Sequence, residues 1–145
     1  MIRARISVDI SDVMDMLNEM ERRATHFEPV FAKAKISLGA SNAENFSSGG
    51  LPVGGWEPRR DSQPWPLMKK TGDLAGDLSS LSGPANVIRP TSAEFGTDIE
   101  YAKFHQTGTF KMASRKVVFE PRGFAEEVGK DAAQHIVGMG RYFSK

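Results

Sequence analysis

From residue 2 to residue 10 the chain alternates, with Ile2, Ala4, Ile6, Val8 and Ile10 set against Arg3, Arg5, Ser7 and Asp9. A period of two places the apolar set on one face of a half-buried strand. The period then lengthens. Val13, Met16, Leu17, Met20 and Ala24 recur at helical spacing, and Phe27, Phe31, Ala34 and Leu38 continue the pattern. Ser11 or Asp12 suits the first cap, because its side-chain oxygen can accept an orphan helix N–H. Pro29 lacks an N–H and disfavours helix at Glu28. The pattern therefore predicts two helices, about 12–25 and about 29–45, with a kink or short break between them. Met14, Met16 and Met20 read as flexible core filling.

Periodicity is lost from residue 47 to residue 66, a stretch with two Gly-Gly pairs and four prolines. Regular helix and central strand are excluded there, which predicts an extended Gly/Pro-rich loop. Its tryptophans and arginines, Trp56, Trp65, Arg59 and Arg60, are residue types that dominate binding interfaces. The simpler expectation is that the tryptophans fold back over the core edge, the more so for Trp56. Further on, Thr71 can cap a short helix whose Leu74 and Leu78 share a face. A strand is expected to begin at 79–82, and Ser82-Gly83-Pro84 turns the chain.

Residues 87–89 and 93–97 have strand-like content joined by Pro90-Thr91-Ser92, the best partner for the N-terminal strand. Thr97 or Asp98 can cap the next helix. Ile99, Ala102 and Gln106 fall on one side of it, Tyr101 and His105 on an adjacent side, and Gly108 stops it. Val117-Val118-Phe119 is a short buried strand candidate. Phe124, Val128, Ala132 and Ile136 mark one face of a closing helix that ends at Gly138 and Gly140. Tyr142 and Phe143 leave an aromatic pair on a tail of about 141–145, a partner contact. The expected class is α+β: a small, mostly antiparallel sheet packed by the N-terminal and C-terminal helices.

At 145 residues the chain is one domain by length. The formal net charge is +1, so strong nucleic-acid or membrane steering does not follow from the total. The absence of cysteine removes disulfides, thiol nucleophiles and Cys-based metal sites. It suits a reducing cytosol. No apolar run approaches membrane-spanning length, and no signal-peptide core follows the first residues. The three histidines, His26, His105 and His135, show no metal-type spacing. Nucleophile-elbow, Walker and dinucleotide fingerprints are missing. His105 could be paired on paper with Asp98 or Glu100, yet a histidine without a partnered nucleophile reads as a local structural residue. No catalytic residue, cofactor or metal is expected.

The order of several short motifs points further. Phe95-Gly96-Thr97, Tyr101-Ala102, His105-Gln106 and Gly108 follow Thr71-Gly72-Asp73-Leu74 and Trp56-Glu57-Pro58, and Arg115 comes after them. Over roughly residues 46–119 this resembles the phage virion morphogenesis family, the tail-completion or neck proteins of tailed bacteriophages. Lys116 stands where that family has proline. The resemblance implies a single domain over 1–145 and structural roles for Thr71, Gly72, Leu74, Gly96, Tyr101, Ala102, His105, Gln106, Gly108 and Arg115. It implies a virion neck protein, assembled in the host cytoplasm into a homo-oligomeric ring that is hexameric by family analogy. Other phage neck and tail proteins would be its partners, with neither a membrane nor a specific nucleic-acid sequence among them. A tail terminator of the same neck region is the alternative within that class. An alternative of another class is a small nucleic-acid- or ligand-binding α+β module, with Trp56 and Trp65 stacking and Arg59 and Arg60 contacting phosphate.

Overall fold

In the computed structural model, which describes residue 7 and residues 9–138, the chain forms a small mixed, helix-rich domain. Helices α1 (Ser11–Ala24) and α2 (Glu28–Ser47) are separated by a break at Thr25, His26 and Phe27. Pro29 lies in the first turn of α2, where its missing N–H costs nothing. A single 3-10 turn (Leu51–Val53) precedes α3 (Asp73–Ser80), the strands β1 (Val87–Ile88) and β2 (Ala93–Glu94), α4 (Ala102–Thr107) and α5 (Phe124–Val137).

Helix α2 is the central element. Gly39 lets it approach α3 closely: a Cβ there would sit 2.4 Å from the Ser79 carbonyl oxygen. One turn on, buried Asn42 donates from Nδ2 to the Leu78 carbonyl at 2.8 Å. The core is built from Phe46, Trp56, Leu74, Leu78, Ala102 and Val117, with Val53, Leu67, Met68, Ala75 and Ile99 packed against it. The Phe46 and Trp56 rings meet edge-on at 5.3 Å.

Several expectations are corrected. The sheet has two strands among the described residues, pairing Val87 with Glu94 and Ile88 with Ala93 in antiparallel register. Residues 79–82 do not start a strand. Ser79 and Ser80 complete α3, and buried Leu81 closes it in the left-handed conformation, its N–H donating to the Asp77 carbonyl. Residues 117–119 form no strand either, because side chains, described below, take the ladder's place. The strand expected over 2–10 falls largely outside the described residues; within them, Ile10 is already the N-cap of α1. Of the N-terminal helices α2 packs against β1, and the Phe27 N–H donates to the Pro90 carbonyl between the strands. Helix α5 lies against α1 and α2, tied by Lys33 to Asp131 at 2.6 Å and by His135 Nε2 to the His26 carbonyl oxygen at 2.7 Å.

The stretch 47–66 is not one loop. Gly50, Gly54 and Gly55 adopt positive φ, and the N–H groups of Gly50, Gly55 and Trp56 donate to the carbonyls of Asn45, Gly50 and Gly49. This wraps Trp56 onto Phe46, leaving it 8% exposed. Tryptophan supplies enough apolar area to hold the turn closed against its entropy. Irregular backbone runs from residue 54 to residue 72.

The apolar stripe of α1 is also not core. No residue of this helix is buried, and Ile10, Val13, Met14 and Leu17 are each about half exposed.

Candidate functional site: a cationic groove over a side-chain-built core

The polar geometry converges on the segment 115–118, a stretch outside helix and strand whose backbone groups must still find partners. Gln106, in α4, supplies three. Its Oε1 accepts from the N–H groups of Val117 and Val118, both at 2.9 Å, and its Nε2 donates to the Val118 carbonyl at 2.8 Å. The Lys116 carbonyl accepts from Asn45 Nδ2 and from Trp56 Nε1, both at 3.0 Å. An amide side chain thus does for this segment what a neighbouring strand would do. Buried Arg115 reaches the other way. Its Nε donates to the Glu57 carbonyl at 3.1 Å and its Nη2 to the Pro58 carbonyl at 3.4 Å. The Arg115 N–H donates to the His105 carbonyl.

Above this core lies an open groove of about 650 Å³, bounded by the irregular segment 59–72, the start of α3, residues 101 and 105 at α4, and the turn at 111–115. Such a volume is in the usual range of ligand sites. Its wall is organised by Arg59, which donates to the carbonyls of Gln63 and Pro66 and pairs with Asp61 at 3.2 Å. The Arg59 guanidinium stands 5.6 Å from the Trp65 ring centroid and Lys70 Nζ stands 5.1 Å from it. Attraction of these cations to the ring quadrupole fixes a half-buried tryptophan in a charged wall. Exposed Arg60 pairs with Glu57.

His105 lies at the groove floor, its ring edge-on to Tyr101 at 6.0 Å. Its Nδ1 is buried without a hydrogen-bond partner. Burial, and then the neighbouring Arg115 charge, push its pKa below the ordinary imidazole value. The neutral ring is therefore favoured at neutral pH. Asp98 and Glu100 line a different surface depression, apart from this groove. Among the described residues no three His, Asp or Glu side chains converge as metal ligands would.

The structure gathers Arg59, Arg60, Trp65, Thr71, Gly72, Leu74, Tyr101, His105 and Arg115 around one groove. Trp56, named above among interface residue types but expected to fold back over the core edge, belongs to the core beneath the groove and so to no interface. Ala102 is also buried. Gly72, not Thr71, is the N-cap of α3; the Thr71 hydroxyl donates to Asp73 Oδ2 at 2.7 Å. Gly96 is held elsewhere, its N–H and carbonyl both bonded to the Asn86 side chain. Gly108 has φ of 74°, and a Cβ there would lie 2.7 Å from the Ser114 nitrogen. Tyr142 and Phe143 lie outside the described residues. Sequence reasoning did not find Asn42, Asn45, Lys70 or Lys111. The first two recur on the buried face of α2, and a polar residue inside an apolar stripe was their one signal.

No protein-family model, no curated protein and no solved structure matches this chain.

Proposed function

We propose that this chain is a structural neck or tail-completion protein of a tailed phage. Identical subunits form a ring at the head–tail junction and help join the tail to the head. One observation carries the reading. The motifs behind the resemblance, separated along the chain, are bonded to one another in space. Arg115 clamps the carbonyls of Glu57 and Pro58 next to Trp56, and His105-Gln106 holds the segment from Arg115 to Val118. These side chains direct their polar atoms at the chain's own backbone. That is the work of a scaffold, and it leaves surfaces free for neighbouring subunits and neck proteins.

The test is a phage in which the gene for this chain is disabled. Filled heads and finished tails should accumulate unjoined, and the purified chain added to the lysate should restore joined particles. Tails of uncontrolled length would favour a terminator of the same neck region. Joined, infectious particles without the chain would refute both roles.

The Trp65 groove favours a second reading, binding of single-stranded nucleic acid or another anionic ligand. Against stacking, Arg59 and Lys70 already engage the Trp65 ring. Single-strand affinity that falls steeply with salt would support this second reading.

A further inference from the structure

Two surfaces among the described residues fit one another. One is the outer stripe of α1, where Ile10, Val13, Met14 and Leu17 are 54, 50, 45 and 49% exposed. They occupy i, i+3, i+4 and i+7, the spacing with which an amphipathic helix anchors in a groove. The acids Asp9, Asp12 and Asp15 accompany them, and no basic residue occurs between residues 9 and 18. The other surface is the groove, where Trp65, Leu67, Met68 and Met112 offer apolar lining. Arg59, Arg60, Lys70 and Lys111 supply cations there against Asp61 and Asp73.

The two surfaces are complementary in both respects, with an apolar stripe meeting apolar lining and acids meeting cations. They are built by different elements, and α1 packs on α5, not over the groove. One subunit can therefore offer its helix to a second copy while its own groove receives a third. A contact between two different patches of identical chains is heterologous, and it closes into a ring when the rotation permits.

Resting on the ring reading above, we infer that the first turns of α1 dock into the Trp65 groove of the next subunit and form the ring's repeating contact.

Sedimentation velocity on the full chain across a concentration series tests this. Leu17→Asp, with Val13→Asp as a second helix variant, should abolish assembly, as should the groove variant Lys70→Glu/Lys111→Glu. All of these positions lie at the surface, and unchanged circular dichroism checks that each variant is folded. Mixing a helix variant with the groove variant leaves one intact α1 and one intact groove per pair. The mixture should give dimers and stop there. Added salt should weaken wild-type assembly, since the charged part of the contact is screened.

A groove variant that assembles like wild type overturns the inference while the ring reading stands, and so does a mixture that remains monomeric. Dimers of the groove variant alone would place α1 against α1 and overturn it as well. A wild-type chain that stays monomeric at every concentration overturns both the contact and the ring.

Discussion

Gln106→Ala is the most informative single substitution in the core. It removes three hydrogen bonds to the segment 117–118, each between 2.8 and 2.9 Å. Val118 is exposed, so water can replace its two partners. Val117 is fully buried at 0% exposure, which leaves its N–H orphaned. An orphaned buried donor costs about 1–3 kcal/mol, and a replaced hydrogen bond about 0.5–1 kcal/mol. With one orphaned donor and two replaced bonds the sum is about 2–5 kcal/mol, a large share of the roughly 5–15 kcal/mol that holds a domain together. At about 3–4 °C per kcal/mol for a chain of this size, the melting temperature should fall by about 6–20 °C. Urea unfolding of wild type and variant, with the slope m checked for constancy, measures the difference. A loss below about 0.5 kcal/mol, the size of an ordinary surface effect, would refute the claim that a side chain stands in for a strand here.

Gly39→Ala should cost on the order of 1–3 kcal/mol by forcing α2 and α3 apart. Gly129→Ala, in an exposed turn of α5 with open space around its Cβ, should stabilise by about 0.5–1 kcal/mol; denaturant midpoints compare the two. His105 has its folded pKa depressed, so the unfolded chain binds its proton more readily. Its contribution is present above the ordinary imidazole value near 6.5 and is lost as pH falls through the folded value. Thermal melts from pH 8 to about pH 5 should show stability falling with acidity, and His105→Gln should flatten that slope. Deleting residues 49–55 should abolish the cooperative melt, since it removes the glycine turn that seats Trp56; a folded deletion variant would return that turn to the status of a dispensable loop.

What the amino-acid pattern made legible was local. Leu74 and Leu78 four residues apart announced α3, Pro29 announced the break before α2, and the Phe124–Ile136 stripe announced α5. The misses were matters of who meets whom. Val117-Val118-Phe119 reads as a strand because a short apolar run cannot state whether its hydrogen bonds go to a neighbouring strand or to Gln106, Asn45 and Trp56. Likewise the α1 stripe signals an apolar face without stating whether anything covers it. By residue type Trp56 reads as an interface residue and, more strongly, as one folding back over the core edge, and the second holds. Gly50, Gly54 and Gly55 permit the positive φ that folds it inward. In the groove, Arg59 and Trp65 were visible by residue type, whereas Lys70 and Lys111 come from separate turns that no local spacing connects.

The carbonyl of Lys116 has a consequence for substitution. Two buried donors from distant parts of the chain end on it, and both read only an oxygen that every amino acid carries. The Lys116 side chain is exposed, and its N–H donates to nothing among the described residues. Proline would lack that unused donor, yet it would also fix φ here and restrict the backbone of Arg115. The junction is thus blind to which non-proline residue it is built on. Mutations can accumulate at position 116 without being felt by the core, while the amides that point at it, Asn45 and the Trp56 indole, have no such freedom.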